Sequence, residues 1–149
     1  MLPSKKLFYA VEAVLYIAYN GGQGPISGRD IAERQNLPPR YLEQLMQRLV
    51  RGGVLRGVRG PHGGYLLARE RRRITVGDIC DVLNEDKEES DTPTTAGTPL
   101  GKDVVLPVWD KANTLMMNHL RQVNLAELCE QALAKNIRKD AEEKMDFAI

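Results

Sequence analysis

The run Val58-Arg59-Gly60-Pro61-His62-Gly63-Gly64-Tyr65 carries the strongest structural signal in this chain. Its three glycines and one proline predict a turn, because glycine permits positive φ and lets the backbone approach another surface closely. The flanking segments 54–58 and 65–68 have β character, and two such segments joined by a glycine-containing loop predict a β-hairpin. Arg59 lies at the start of the turn. A basic hairpin directly after an amphipathic helix is typical of a winged helix–turn–helix, so the chain is predicted to bind DNA.

Three helical patterns precede the hairpin. Residues 5–19 repeat apolar side chains at helical spacing. Ser27 is predicted to cap a short helix over 28–34, and Pro38-Pro39 to open a helix over 39–51, since proline is tolerated in a first turn. One apolar stripe of this third helix is formed by Leu42, Leu45, Met46, Leu49 and Val50. The pattern predicts a helix–turn–helix whose second helix, 39–51, is the recognition helix.

The chain after the hairpin divides into a polar loop, further helices and a charged tail. Thr75 is predicted to cap a helix over 76–83, a long helix is predicted over 104–123, and Asn124 is predicted to cap a further helix over 125–136. The tail is expected to fray. The predicted organisation is a winged helix–turn–helix DNA-binding domain over 1–83, a polar loop over 84–103, dimerisation helices over 104–136 and a tail over 137–149. The fold class is mainly α with a small β-hairpin.

The long helix has more apolar surface than one small domain is expected to bury. Its apolar stripe, at nearly heptad spacing, consists of Val105, Val108, Ala112, Leu115, Met116 and His119, with Trp109 alongside. Helix–turn–helix proteins usually dimerise to match two half-sites. The pattern therefore favours a dimer seam, and the alternative is a core helix within the monomer.

The charge is unevenly distributed along the 149 residues. Residues 29–73 hold eleven basic and four acidic side chains, a formal charge of +7, while the rest of the chain sums to −6. This asymmetry indicates a polyanionic partner for the central third. No apolar run approaches the roughly 18 residues of a membrane span, and no small-residue cleavage site follows the apolar segment 10–19. We expect a cytoplasmic protein with no membrane partner.

The DNA-contacting residues follow from the geometry of the fold. A recognition helix presents its N-terminal side chains to the major groove, where arginine can read guanine, glutamine adenine, and glutamate cytosine. Arg48 and Arg51 lie farther along and are expected to contact phosphates, and Arg59 to enter the minor groove. The predicted set is Ser27, Arg29, Pro39, Arg40, Tyr41, Glu43, Gln44, Arg48, Arg51, Arg59, Gly60, His62 and Gly63.

No catalytic or metal-binding pattern is present in the sequence. There is no phosphate-binding glycine loop leading into a helix, no H-E-x-x-H and no G-x-S-x-G, so an enzyme is not expected. His62 and His119 have no ligand partner at helical spacing. Cys80 and Cys129 form no C-x-x-C, and both fall at inward helix positions. They are predicted to act as small core residues, with a redox role as the alternative.

Several stretches together resemble a known family. They are Tyr9–Val11, Ile31–Gln35, Tyr41–Leu45, Val58–Leu67, Ile74–Ile79, Trp109 and Asn124–Leu128. Over about residues 3–130 the chain resembles the Rrf2 family of bacterial transcription regulators, which includes IscR, NsrR, RirA and CymR. The resemblance implies a dimeric winged helix–turn–helix with a long crossing dimerisation helix, and DNA contacts by Tyr41, Glu43, Gln44 and Arg59. Arg40 replaces a small polar residue of IscR, so the preferred operator is expected to differ.

The chain departs from the family in the loop before the long helix. IscR-like members carry three cysteines there, which hold a two-iron, two-sulfur cluster. Residues 85–103 contain no cysteine, and the oxygens of Thr92, Thr98 and Pro99 do not replace thiolates in soft iron–sulfur chemistry. We expect no iron–sulfur or other metal cofactor. Either the chain is a naturally cluster-free member, as CymR is, or its cysteines have been substituted.

The favoured hypothesis is a homodimeric transcription repressor that binds double-stranded operator DNA through helix 39–51 and the wing over 54–68. An alternative is a cluster-free regulator that acts mainly by binding a metabolic partner protein, with the acidic loop or the tail as docking surface. The other alternative is a cluster-binding sensor whose cysteines have been replaced.

Overall fold

A computed structural model describes residues 4–84 and 97–140 of the chain. Within them, short 3-10 turns occur at Gly21–Gln23 and Arg71–Arg73, and a π-helical turn at Gly101–Val105. The helices and strands are α1 (Lys5–Tyr19), α2 (Gly28–Gln35), α3 (Pro39–Arg51), β1 (Leu55–Val58), β2 (Gly64–Leu67), α4 (Val76–Asn84), α5 (Leu106–Leu120) and α6 (Leu125–Ala134). No helix in this part of the chain is both long and apolar enough to cross a membrane.

Side-chain caps place the beginnings of three helices where the sequence predicts them. Ser27 Oγ accepts a hydrogen bond from the N–H of Asp30 at 3.4 Å, and Asn124 Oδ1 accepts one from Glu127 at 3.0 Å. Thr75 and Asp78 cap reciprocally, because each side chain accepts the other's backbone N–H, at 3.1 and 2.9 Å. These bonds satisfy N–H groups that the first turn of a helix leaves without partners. All three predicted caps are confirmed.

The core surrounds α1, which is inaccessible to solvent along one face. Four residues of the predicted α3 stripe are buried, and Val50 is half-buried. The opposite face of α3 is exposed, which leaves its polar side chains available. The fully buried residues of the core include Val14, Ile17, Ile31, Leu42, Met46, Leu49, Leu55, Ile74, Ile79 and Leu125.

The hairpin is antiparallel, with Leu55 opposite Leu67 and Val58 opposite Gly64. The predicted wing is confirmed; β1 begins one residue later than predicted and β2 lies one residue earlier. Ile26, just before α2, adds a one-residue third strand, because it exchanges backbone hydrogen bonds with Tyr65 at 3.0 and 2.8 Å. A Cβ at Gly64 would lie 2.8 Å from the backbone nitrogen of Ser27, so glycine is needed where the wing meets α2. The sequence pattern did not predict this third strand.

The long helix differs from its prediction at both ends. Helical backbone is already present at Pro99 and Leu100 and continues through 101–105, so the loop prediction is wrong for residues 99–103. Thr98 Oγ1 accepts from the N–H of Gly101 at 3.3 Å and starts this turn. Pro107 has no N–H to donate, and the preceding Leu106 bonds to the Gly101 carbonyl in π-helical register. The helix ends at Leu120 rather than 123, and beyond it the Val123 carbonyl accepts a hydrogen bond from the N–H of Val76 at 2.9 Å.

The prediction of a fraying tail is wrong for residues 137–140. The hydroxyl of Tyr19 donates to the carbonyl of Ile137, and the N–H of Asp140 donates to Asn20 Oδ1 at 2.8 Å. Helix α6 ends two residues earlier than predicted, followed by Asn136 in the left-handed region at φ 58°. The rest of the tail, 141–149, and the acidic part of the predicted loop, 85–96, lie outside the described residues.

Candidate DNA-binding surface

An open cleft lies between α3, the wing and the N-terminus of α2. One wall is the polar side of α3, the other is the turn of the wing, and Ser27 and Gly28 close one end. The structure therefore brings together three segments that are separate in the sequence. The predicted residues that line this cleft are Ser27, Arg29, Pro39, Glu43, Arg51, Arg59, Gly60 and Gly63.

The polar side of α3 consists of two neighbouring rows of side chains. Pro39, Glu43 and Gln47, spaced by four residues, lie along the cleft. Arg40 and Gln44 form the adjacent row, and both are exposed outside the cleft lining. Tyr41 is 37% exposed. Sequence reasoning missed Gln47, although its spacing from Glu43 was a signal that could have found it.

Arg48 has a partner within the protein. Its Nη2 donates to the carbonyl of Leu83 at 3.1 Å, at the C-terminal end of α4. A cation there is favoured by the helix dipole and by unsatisfied carbonyls. The predicted phosphate contact of Arg48 stays a prediction. One nitrogen of its guanidinium is already bonded to α4. The sequence could not show this bond, because the two residues lie 35 positions apart.

The turn of the wing presents Arg59 to solvent. Gly60 has φ 116°, a conformation that strains other residues, and its carbonyl accepts from the N–H of Gly63 at 3.0 Å. A Cβ at Gly63 would lie 3.0 Å from the Gly60 carbonyl oxygen. The two glycines thus shape the turn that holds Arg59 at the cleft. His62 is exposed and points to another cleft, which it shares with Tyr16, Asp30, Arg34 and Asp140.

Glu43 is the acidic side chain among the described residues that line the cleft between α3 and the wing. Gln47 Nε2 donates to its carboxylate at 3.4 Å. Tyr65, which also lines the cleft, has its pKa raised by burial and secondarily by the charge of Glu43. The Tyr65 ring packs over Gly28, where an added Cβ would lie 3.1 Å from Cε2. Glu43 is therefore an exposed carboxylate at the cleft, with Gln47 as its hydrogen-bond partner.

The model of the Rrf2 family, whose description is iron-dependent transcriptional regulator, matches residues 3–131. The chain belongs to the Rrf2 family. IscR of Cronobacter sakazakii (strain ATCC BAA-894), an HTH-type transcriptional regulator, is 36% identical over 121 residues, which are 80% of this chain and 75% of that protein.

Solved structures agree with this assignment. The structure of T. potens IscR matches with a TM-score of 0.74 and 36% identity over 96% of each chain. The structure of CymR, the global cysteine regulator of B. subtilis, matches with a TM-score of 0.65 and 29% identity over 88% of this chain and 98% of that one. The predicted family and the winged-helix fold class are confirmed, and the chain is a transcription regulator, not an enzyme.

Helix α5 exposes a continuous series of apolar side chains in the protomer. Met117 is the buried residue of α5, and Ala112 is half-buried. His119, predicted to pack on this stripe, is exposed. This exposure contradicts the alternative of a core helix within the monomer. The large apolar residues exposed on α5 and the turns before it are Leu100, Val104, Val105, Val108, Trp109, Leu115 and Met116.

The two cysteines do not fit an iron–sulfur cluster. Cys80 on α4 is 1% exposed and Cys129 on α6 is 5% exposed, as the sequence predicted for core residues. Burial raises the pKa of both thiols, and the guanidinium of Arg71 lowers that of Cys129 only in part. Residues 4–84 and 97–140 contain no group of three His, Cys, Asp or Glu side chains placed to hold a metal. A cluster requires thiolates gathered at one accessible site.

Proposed function

We propose that this chain is a homodimeric transcription repressor that binds operator DNA through α3 and the wing, without an iron–sulfur cluster. The observation that carries the proposal is the cleft between α3 and the wing, in which Pro39, Glu43 and Gln47 lie opposite Arg59. We call it the DNA-facing cleft. A recognition helix and a basic wing on one side of the molecule can reach the major and the minor groove of one duplex. The central charge of +7 favours a polyanion at this surface.

The N-terminus of α2 supplies a phosphate-binding element next to the recognition helix. Ser27, Gly28 and Arg29 line the cleft, so the first turn of α2 faces the same space as Arg59. The free N–H groups and positive dipole end of a helix attract phosphate oxygens. Contacts of this kind position a protein on DNA, and base contacts by Arg40, Glu43 and Gln44 would supply sequence discrimination.

Dimer formation is supported by the apolar side chains of α5. An exposed apolar surface of this extent on a small protein indicates an interface. Pairing two protomers through α5 would present two cleft surfaces to DNA, as two half-sites require. A partner protein docked on the acidic loop stays a prediction, since 85–96 lie outside the described residues.

The test begins with selection of bound duplexes from a random-sequence library by the purified chain. Arg59→Ala should weaken binding to a selected duplex by about 1–3 kcal/mol, the range for a good groove contact. Lys135→Ala, an exposed cation that does not line the cleft, is the matched control and should leave binding nearly unchanged. The affinity of the unchanged protein should also fall with rising salt as counterions are released. Failure to enrich any duplex would refute the proposed function.

A further inference from the structure

The segment Ile137–Asp140, here called the C-terminal strap, connects the end of α6 to the helix–turn–helix. Its backbone is held at two points on the C-terminal end of α1, by the Tyr19 hydroxyl at the Ile137 carbonyl and by Asn20 at the Asp140 N–H. The ammonium of Lys139 lies 5.2 Å from the centre of the Tyr19 ring. Backbone and side chains of the strap therefore both contact α1.

Asp140 joins α1 to α2. Its carboxylate accepts a hydrogen bond from the Tyr16 hydroxyl on α1 and pairs with Arg34 Nη2 on α2 at 2.6 Å. The guanidinium of Arg34 also lies 5.1 Å from the centre of the Tyr16 ring. The Asp140 side chain is 18% exposed and the Arg34 side chain 44%, so the carboxylate is the partner that is shielded from solvent. Burial and the Asp140 carboxylate raise the pKa of Tyr16, which keeps its hydroxyl protonated as the donor.

The strap also satisfies Asn20, a polar side chain that is 5% exposed. Asn20 Nδ2 donates to the Tyr16 carbonyl at 3.0 Å, and Asn20 Oδ1 accepts from the strap. A buried amide oxygen without a partner is costly. The strap contacts thus complete a buried polar network in the core, which a frayed chain end would not do.

Helix α2 is short and packs against α1 and α3. It has 8 residues, of which Ile31 and Ala32 are buried, and Gln35 Nε2 donates to the Tyr9 carbonyl on α1 at 3.0 Å. Its N-terminus lines the DNA-facing cleft, and Arg34 lies in its last turn. A small rotation of so short a helix would move Ser27 and Arg29 relative to α3.

We propose that the C-terminal strap positions α2 for DNA binding, with Asp140 as the positioning residue that fixes Arg34 and Tyr16. This inference rests on the proposed function, because its expected consequence is a change in DNA affinity at the DNA-facing cleft. It gives Asp140 a role that the negative charge of its carboxylate would oppose. Asp140 shares a cleft with His62 and Ser27 beside the wing turn, so its negative charge alone would repel DNA.

The direction in which Asp140→Asn changes DNA affinity tests the proposal. Asp140→Asn removes a negative charge, so electrostatics alone predicts tighter binding to DNA. Loss of the strap contacts predicts binding weaker by roughly two- to tenfold, the range for losing one hydrogen bond or ion pair. Tyr16→Phe removes the α1 donor with no change of charge and should weaken binding in the same direction. Glu130→Gln, on an exposed part of α6, is the matched control for charge loss.

The experiment measures affinity for a duplex selected by the unchanged protein, together with amide hydrogen exchange across α2. Weaker binding and faster α2 exchange in Asp140→Asn and Tyr16→Phe, with Glu130→Gln unchanged in exchange, support the proposal. Tighter binding by Asp140→Asn, or α2 exchange equal to that of the unchanged protein, overturns it. Should Asp140→Asn fail to fold, Tyr16→Phe decides. If the unchanged protein selects no duplex, the proposed function fails. The exchange rates of α2 then still show whether the strap holds this helix in place.

Discussion

Gly64→Ala should detach the wing from α2. An added Cβ would lie 2.8 Å from the Ser27 nitrogen and against the Ile26 carbonyl, so the two backbones must separate. Ile26 and Tyr65 exchange two hydrogen bonds at this point. At about 0.5–1.5 kcal/mol each, their loss lowers the free energy of unfolding by roughly 1–3 kcal/mol. Wing displacement should also weaken DNA binding.

Thermal unfolding at fixed protein concentration measures this loss. A protein of this size should lose roughly 2–4 °C in melting temperature for each 1 kcal/mol. Gly57→Ala, in the same hairpin, is the control, because a Cβ there meets nothing within 4 Å. That substitution should be neutral or slightly stabilising, since alanine restricts the unfolded chain. Equal melting temperatures for the two variants would refute the packing argument at Gly64.

Three further predictions concern specificity, assembly and cofactor. Glu43 cannot neutralise a phosphate, so Glu43→Ala should relax discrimination among duplexes more than it weakens total binding; a uniform loss across sequences would contradict this. Leu115 is 61% exposed on α5, so Leu115→Glu should shift the protein to monomer in sedimentation, and a persistent dimer would place the interface elsewhere. Protein purified without oxygen should be colourless and lack stoichiometric iron and sulfide, because its two thiols are buried on separate helices; one cluster per subunit would disprove this.

Much of the fold was predictable because its signals are local. The caps at Ser27, Thr75 and Asn124 act over three residues, and the apolar stripe of α3 repeats within two turns. The wing was predictable from glycines whose conformations a short turn requires. The ends of α5 were not, because a proline alters the helical register at its start and the turn after Leu120 bonds to Val76, the first residue of α4.

The candidate site was predicted in part. Residues of α3 and the wing were assigned from the geometry of the motif, and the structure brings six of them to one cleft together with Ser27 and Arg29 at the start of α2. Gln47 was missed although it follows Glu43 at a spacing of four residues, and Tyr65 was missed because nothing in its own segment distinguishes it from an ordinary core residue. His62 was assigned with the wing, yet its side of the turn faces Asp140 instead of α3.

Periodicity, capping residues and glycine placement were enough to establish a winged helix–turn–helix with an apolar helix available for pairing, because each operates within a few bonds of the backbone. Folding alone decided which distant groups become partners: Arg48 with the end of α4, Ile26 with the wing, and Asp140 with α1 and α2. The local sequence around a polar residue does not predict which distant group its side chain will bond. That choice follows from which buried donors and acceptors remain unsatisfied once the helices have packed.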